Sequence, residues 1–190
     1  MIRIGLISDT HIPHRLAALP PAVFEKLAGV DLILHAGDVD DLKVLAQLGR
    51  IAPTLGVRGN IHFQALAPND RALPLALPLE IHGHRLLLTH GHLSLWHSLT
   101  DKRYGIQSLL GWRVDDGTVN RRLIRRLARA FPQAEIIIFG HSHKPCVERV
   151  DHQLFVNPGA VCPTPWASPS VGILHLAPGQ VEVELLPLDR

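Results

Sequence analysis

Short apolar runs and helix-like segments alternate through the first third of the chain. Residues 2–7, 31–34 and 54–57 are rich in Ile, Leu and Val and have the length of strands, which favours buried β-strands. Between them, residues 21–28 and 41–48 place apolar side chains three and four positions apart, the spacing of one helix face. The pattern predicts a β-α-β-α-β opening in which helices cover parallel strands.

The later part of the chain is predicted to be mostly strand. Apolar runs of strand length recur at residues 85–88, 135–139, 154–156, 171–176 and 181–186. The last run alternates apolar residues with Glu, as in a strand with one face in water. One helix is predicted at residues 118–131, where apolar side chains share one face and arginines the other. Residues 93–116 have no firm period and are interpreted as loop and short helix.

Composition and charge limit the classes of protein to consider. The chain has 190 residues, of which 46% are hydrophobic, so residues 1–190 are interpreted as a single domain with a substantial core. A formal net charge of +2 gives no whole-protein field that would favour nucleic acid. The N-terminal apolar run turns polar at Ser8, too early for a signal peptide or a membrane span. We therefore expect a cytoplasmic protein without a membrane partner.

The two cysteines and several other polar residues receive structural interpretations. Cys146 and Cys162 lack a CxxC pair, so both are expected to pack in the fold of a protein from a reducing compartment. Asp40 and Asp41 precede a predicted helix, which favours capping over a role beside the site. His35 is expected to pack beneath the loop that carries Asp38.

Side chains that bind metals follow five of the predicted strands. The chain has 13 His, and imidazole is the commonest metal ligand in proteins. Because the carboxyl ends of strands line the ligand crevice in open α/β sheets, residues distant in sequence can meet there. Glycines stand beside these residues, as they do where the backbone passes close to a ligand. The candidates are Asp9, His11, Asp38, Asn60, His90, His141 and His143.

These candidates offer too many donors for one ion. They comprise two carboxylates, one amide oxygen and four imidazoles. A carboxylate can bridge two divalent ions roughly 3.5–4 Å apart, and a water shared by the ions loses a proton near neutral pH. The mixed nitrogen and oxygen set suits Mn, Fe, Zn, Co or Ni, and the lack of thiols in the motifs argues against a structural zinc site. The prediction is two divalent ions, with Mn favoured.

The order of the motifs resembles that of one family. Asp-x-His at Asp9, Gly-Asp at Asp38, Gly-Asn at Asn60, His-Gly-His at His90 and Gly-His-Ser-His at His141 resemble the calcineurin-like metallophosphoesterases over nearly the whole chain. The opening Ile-Ser-Asp-Thr-His-Ile-Pro and a late Val-Asn-Pro-Gly are most similar to the small bacterial and archaeal phosphodiesterase branch.

The resemblance implies a fold, a ligand set and an activity. The implied fold is α/β, a four-layer sandwich in which two mixed β-sheets pack face to face between helices. Asp38 would bridge two ions, and the bridging hydroxide would attack in line a phosphate docked on both. The implied activity is metal-dependent phosphoester hydrolysis, with diesters favoured and with Asp38 and Asn60 among the catalytic residues. One ion would be held by Asp9, His11, Asp38 and His143, and the other by Asp38, Asn60, His90 and His141.

One position departs from the family pattern. Many relatives have a His directly after the Gly-Asn pair, where it assists phosphate binding or departure of the leaving group, but this chain has Ile61. The departure favours diesters with good leaving groups as substrates. His62 and His92 are the candidates to replace the missing His.

Two other functions stay open on the sequence. The same fold serves as a non-enzymatic scaffold in the membrane-coat complex retromer, and Ile61 fits some loss of activity. The second alternative is a nuclease, because the arginines of the helix at 118–131 could meet a polyanion, although such residues usually only face water. The expected partner is a small phosphate ester, nucleic acid is not favoured, and an oligomer is left open.

Overall fold

Two five-stranded sheets form the centre of the molecule. A computed structural model describes residues 1–60, 73–92 and 118–188. In the first sheet, three parallel strands are extended by two antiparallel ones. Its strands, in spatial order, are β10 (Gln180–Pro187), β9 (Ser170–Ala177), β1 (Ile2–Ile7), β2 (Leu32–His35) and β3 (Thr54–Gly56).

The second sheet is also mixed. Its three central strands are parallel and each edge strand is antiparallel to its neighbour. The spatial order is β4 (Ala76–Ile81), β5 (His84–Thr89), β6 (Ile136–Ile138), β8 (Gln153–Asn157) and β7 (Cys146–Val150).

Three apolar clusters hold the layers together. Between the sheets, Leu6 and Leu34 of the first belong to one cluster with Leu88 and Ile138 of the second. On the outer side of the first sheet lie α1 (Pro21–Lys26) and α2 (Lys43–Leu48), and on the outer side of the second lies α3 (Thr118–Ala130). The order helix, sheet, sheet, helix confirms the predicted α/β four-layer sandwich with two mixed sheets face to face.

The predicted helices and buried strands agree with the structure within a few residues. Two edge strands of the second sheet, β4 and β7, were not among the predicted strands. Both alternate between half-buried and exposed positions, β4 contains Pro78, and β7 carries Glu148 and Arg149. Proline and charged residues are tolerated at sheet edges because no further strand pairs there, and they dilute the apolar signal.

The helices are short. The longest described helix, α3, has 13 residues. Among the described residues, no helix is both long enough and apolar enough to cross a membrane.

Candidate metal centre

The predicted ligands lie in loops that follow the parallel strands of both sheets. Asp9 follows β1, Asp38 follows β2, His90 follows β5, and His141 follows β6. Backbone hydrogen bonds join the first two loops, since the Asp9 N–H donates to the Gly37 carbonyl at 3.0 Å and the His11 N–H to the Asp38 carbonyl at 3.1 Å. The structure brings all seven predicted ligands together at the rim where the two sheets meet.

One group of four ligands is tightly packed. Asp9, His11, Asp38 and His143 each offer a ligand atom, and these atoms lie within 4.8 Å of one another. His143 Nε2 is 3.1 Å from Asp9 Oδ1 and 3.3 Å from His11 Nε2. This is the same group that the resemblance implies for one ion.

The second group adjoins the first through Asp38. The Asn60 backbone N–H donates to Asp38 Oδ1 at 2.8 Å, and Asn60 Nδ2 lies 2.9 Å from His141 Nδ1. The rings of His90 and His141 meet edge to face with their centroids 5.2 Å apart. Asn60, His90 and His141 therefore each contact another member of the ligand set that the resemblance implies for the second ion.

The Asp38 carboxylate stands between the two groups. Its Oδ2 atom is 3.6 Å from His11 Nε2 and 3.4 Å from His90 Nε2. An oxygen flanked by imidazole nitrogens from both groups is where a bridging ligand has to lie.

Two buried atoms of the site indicate that an ion fits there. Asp9 Oδ1 and His90 Nε2 are buried and have no hydrogen-bond partner within the described ranges, although buried polar atoms are nearly always hydrogen-bonded. Each faces another member of the ligand set across 3.1 to 3.4 Å. Carboxylate, amide and imidazole donors together suit divalent transition metals.

Electrostatic coupling within the site shifts its acids and bases in opposite directions. Burial disfavours the charged form of Asp9, but His143 outweighs it and holds the pKa of Asp9 well below its usual range. For Asp38, burial is likewise overcome by His90, and the pKa falls far below its usual range. Burial lowers the basicity of the imidazoles, yet Asp38 raises the pKa of His90 to about 9 and Asp9 raises that of His143 to about 10. The raised pKa values favour the protonated imidazoles, whereas metal binding requires the neutral form and would release those protons.

Residues behind the ligands hold their orientation. His90 Nδ1 lies 2.7 Å from the Ala36 carbonyl oxygen, so this nitrogen donates and Nε2 is left to face the site. Ser8 Oγ is 2.6 Å from both Asp9 Oδ2 and the Gly159 carbonyl oxygen. The motif pattern gives no signal for Ser8, because hydroxyl residues are common beside turns.

Cys162 lies closer to the site than its packing interpretation implies. Its Sγ atom is 3.8 Å from His143 Nδ1, and it forms a possible three-ligand group with His11 and His143. Cys162 is buried, as expected of a packing residue, but it packs against a predicted ligand. Cys162 is distant in sequence from every ligand motif, so only the fold reveals the contact.

The backbone of the ligand loops adopts conformations that few residues favour. Asp9, His11, Asp38, His141 and His143 have φ angles of 51°, 49°, 55°, 72° and 58°, in the left-handed region that costs most side chains about 1–2 kcal/mol. Such conformations cluster at functional sites, where the surroundings impose them.

Two glycines allow the ligands to approach the backbone. A Cβ on Gly37 would lie 2.6 Å from His90 Nδ1, and a Cβ on Gly59 would collide with Asp38 Oδ1. A side chain at either position would displace a predicted ligand.

Of the two candidates to replace the missing His, the structure describes only His92. His92 is 3% exposed, and its ring centroid lies 5.5 Å from that of His90 and 6.5 Å from that of His141, so it borders the site. His62, Ile61 and the Trp-containing segment from residue 93 lie outside the described residues.

The interpretations of His35 and Asp41 agree with the structure. His35 is fully buried, and Asp41 Oδ1 accepts a hydrogen bond from the Lys43 N–H at the start of α2 at 2.9 Å. Asp40 was predicted to cap the same helix, but its carboxylate contacts histidines of the first loop instead.

A cavity of about 570 Å³ lies beside the metal centre. Its described lining includes Lys144, which directly follows His143, but none of the seven predicted ligands. Trp166, 51% exposed, contributes an aromatic wall and Arg121 a cation. The ligand cluster and this cavity are therefore separate features that share one loop.

Comparison with known families decides the membership of the chain. Residues 2–179 match the model of the calcineurin-like phosphoesterase superfamily domain. The chain belongs to this superfamily. The resemblance found in the motifs is thereby confirmed, and with it membership of a family of metal-dependent hydrolases.

Individual relatives agree with this assignment, and a solved structure shares the fold. The chain is 30% identical over 185 residues to a probable metallophosphoesterase of Methanothermobacter thermautotrophicus, covering 96% of this chain and 91% of the relative. It is 24% identical to a phosphodiesterase of Methanocaldococcus jannaschii, covering 91% of this chain and 92% of that one. Vps29 from Entamoeba histolytica has a similar fold, with a TM-score of 0.67 at 21% identity over 99% of this chain and 100% of the other.

Proposed function

We propose that this member of the superfamily is a phosphodiesterase that works with two divalent metal ions, Mn²⁺ being the favoured one. The observation that carries the proposal is the position of Asp38 Oδ2, 3.6 Å from His11 Nε2 and 3.4 Å from His90 Nε2. A carboxylate placed between two sets of imidazoles can hold two ions at once. The Methanocaldococcus jannaschii relative is named a phosphodiesterase, which supports the choice of substrate class.

The ligand residues have distinct tasks in this proposal. Asp9, His11 and His143 hold one ion, Asn60, His90 and His141 hold the other, and Asp38 serves both. When bound, the ions supply Lewis acidity to the phosphoryl oxygens and lower the pKa of a coordinated water. Since the four imidazoles bind as neutral ligands, only two carboxylates offset the charge of the ions. The remaining positive charge attracts an anionic phosphate ester.

The choice of a diester rests on the groups beside the ligands. A His directly after the Gly-Asn pair is replaced by Ile61, so protonation of a poor leaving group lacks its usual donor. His92 borders the rings of His90 and His141 and is proposed to contact the substrate, with His62 as the other candidate. Substrates with good leaving groups depend least on such a donor.

The test is hydrolysis of bis-p-nitrophenyl phosphate by EDTA-treated protein after addition of Mn²⁺, Fe²⁺, Zn²⁺, Co²⁺ or Ni²⁺. We expect metal-dependent turnover, faster for this diester than for p-nitrophenyl phosphate. Asp38→Asn should lower kcat/KM by about 100-fold, or roughly 2.7 kcal/mol. Asp41→Asn is the matched control, because it removes the same charge at a helix cap, and it should keep most of the activity.

The two alternative functions, a scaffold protein and a nuclease, predict different results. A scaffold protein would show no turnover with any of the five ions and would form a stable complex with a partner. A nuclease would cleave oligonucleotides and bind them with steep salt dependence. Absence of metal-dependent turnover on every phosphate ester would overturn the proposal.

A further inference from the structure

The side chain of Asp40 lies behind the metal centre and contacts two histidines. It is 3% exposed, and its Oδ2 atom is 2.9 Å from His14 Nδ1 and 3.7 Å from His11 Nδ1. The opposite nitrogen of the second ring, His11 Nε2, faces Asp38 and His143. The His11 imidazole therefore lies between the Asp40 carboxylate on one side and the ligand cluster on the other.

A polar group behind the ring is common for histidines that bind metals. A histidine that binds a metal through one ring nitrogen usually donates its other N–H to a carboxylate or carbonyl, which fixes the tautomer and makes the ligand more basic. The Ala36 carbonyl takes this role for His90. For His11 the group in the corresponding place is the Asp40 carboxylate, which carries a full negative charge when ionised.

The backbone around Asp40 points to the same role. Residues Ile12 and Asp40 form an isolated parallel β-bridge, which brings the loop after β2 against the loop that carries His11. Asp40 has a φ angle of 62°, a conformation that Asp and Asn tolerate better than other side chains do. The helix that follows does not need this carboxylate, because Asp41 accepts the hydrogen bond at the start of α2.

We propose that Asp40 is a positioning residue for His11. Its carboxylate lies 3.7 Å from His11 Nδ1, beyond hydrogen-bond distance, and favours the Nδ1–H tautomer through its charge. The lone pair of Nε2 would then be available to an ion held together with Asp9, Asp38 and His143. His14, whose side chain is 45% exposed, holds the other side of the carboxylate and separates it from solvent. The inference rests on the proposed metal-dependent function and adds a residue that the ligand motifs do not include.

The first test compares metal binding by the wild-type protein, Asp40→Asn and Asp41→Asn. Asparagine suits the backbone at residue 40 and removes only the charge, and the Asp41→Asn control removes the same charge from the next residue. Calorimetric titration of EDTA-treated protein with Mn²⁺ should show two sites in the wild type and in the control. In Asp40→Asn, the affinity of one site should fall 10- to 100-fold, while the other site and the urea midpoint of the metal-free protein stay unchanged.

A second measurement uses the wild-type protein alone and therefore does not depend on how a variant folds. In the zinc-loaded protein with ¹⁵N-labelled histidine, NMR should identify His11 as the Nδ1–H tautomer, with a proton that exchanges slowly with solvent. A rapidly exchanging His11 Nδ1 proton, or the Nε2–H tautomer, would overturn the inference.

The proposed function and the role of Asp40 can be disproved separately. If the wild-type protein binds no divalent ion, the proposed function fails and Asp40 has no ligand to position. If the wild type binds two ions and Asp40→Asn binds both with unchanged affinity, only the role of Asp40 is disproved. Equal loss of affinity in Asp40→Asn and Asp41→Asn also contradicts it, since a general charge effect would then explain the result.

Discussion

Asp38 and His35 are neighbours in sequence with opposite electrostatic surroundings. The Asp38 carboxylate is buried among imidazoles that keep it charged. His35 is also buried, with Nε2 3.3 Å from Thr10 Oγ1, but burial outweighs the nearby carboxylates and lowers its pKa to about 4. The end of β2 and the loop that follows it thus hold a base that stays neutral and an acid that stays ionised, so acidification affects the two residues at different pH values.

His35 should make the metal-free protein sensitive to mild acid. Because its pKa falls from 6.5 to about 4 on folding, the unfolded chain gains a proton below pH 6.5 that the folded protein does not bind, and stability is lost as pH falls. By linkage, the loss between pH 6.5 and 4.5 is about 2 kcal/mol. Urea unfolding in EDTA at these two pH values should show this loss for the wild type and a smaller one for His35→Gln. Equal losses in both proteins would contradict the expectation.

At the scale of elements, α3 does more than cover the second sheet. Its buried residue Asn120 donates to the Lys144 carbonyl oxygen at 3.1 Å and accepts from Ser142 Oγ at 2.6 Å. Ser142 lies between His141 and His143, so the first turn of this helix anchors the loop that supplies one ligand to each group.

Loss of this anchor should loosen the loop. We expect Asn120→Ala to weaken Mn²⁺ binding about tenfold, the low end of the effect of residues behind metal ligands. Loss of the Asn120 hydrogen bonds to the Lys144 carbonyl and the Ser142 hydroxyl should also lower the free energy of unfolding by roughly 1–3 kcal/mol. Calorimetric titration and urea unfolding measure the two effects. Arg125→Ala, on the exposed face of the same helix, serves as the control and should change neither.

The sequence predicted the central elements better than the edges and the supports. Strand β6 is apolar throughout and β1 is apolar except for Arg3, so their signal is strong, and the Asp-x-His and Gly-His motifs mark where they end. β4 and β7 lie at sheet edges, where Pro78 and Glu148 are compatible with the fold and leave no clear period. The contacts of Asp40 and Cys162 with ligand histidines depend on how loops distant in sequence pack. No local pattern encodes such contacts.

At the scale of the whole molecule, the site joins the two sheets. β1 and β2 of the first sheet supply Asp9 and Asp38, whereas β5 and β6 of the second supply His90 and His141. An ion bound to residues from both sheets adds a link between layers that pack mainly through apolar contacts. Metal binding is therefore expected to stabilise the entire fold.

The size of this stabilisation follows from mass action. At a free Mn²⁺ concentration 100-fold above the dissociation constant, each bound ion should raise the free energy of unfolding by about 2.7 kcal/mol. Urea unfolding in Mn²⁺ and in EDTA measures the difference, which should largely vanish in Asp38→Asn. If the wild type gains no stability from any divalent ion, no ion binds preferentially to the folded state.

The positive φ angles of Asp9, His11, Asp38, His141 and His143 also determine what a mutant library at these positions can reveal. Most replacements would disfavour the positive φ angle, so a loss of stability would obscure their effect on metal binding. β-branched residues would disfavour it most. Asparagine and glycine are the informative choices, because they accept this geometry. Selection for a new metal preference should therefore succeed more readily through neighbouring residues in extended or helical backbone than through the ligands themselves.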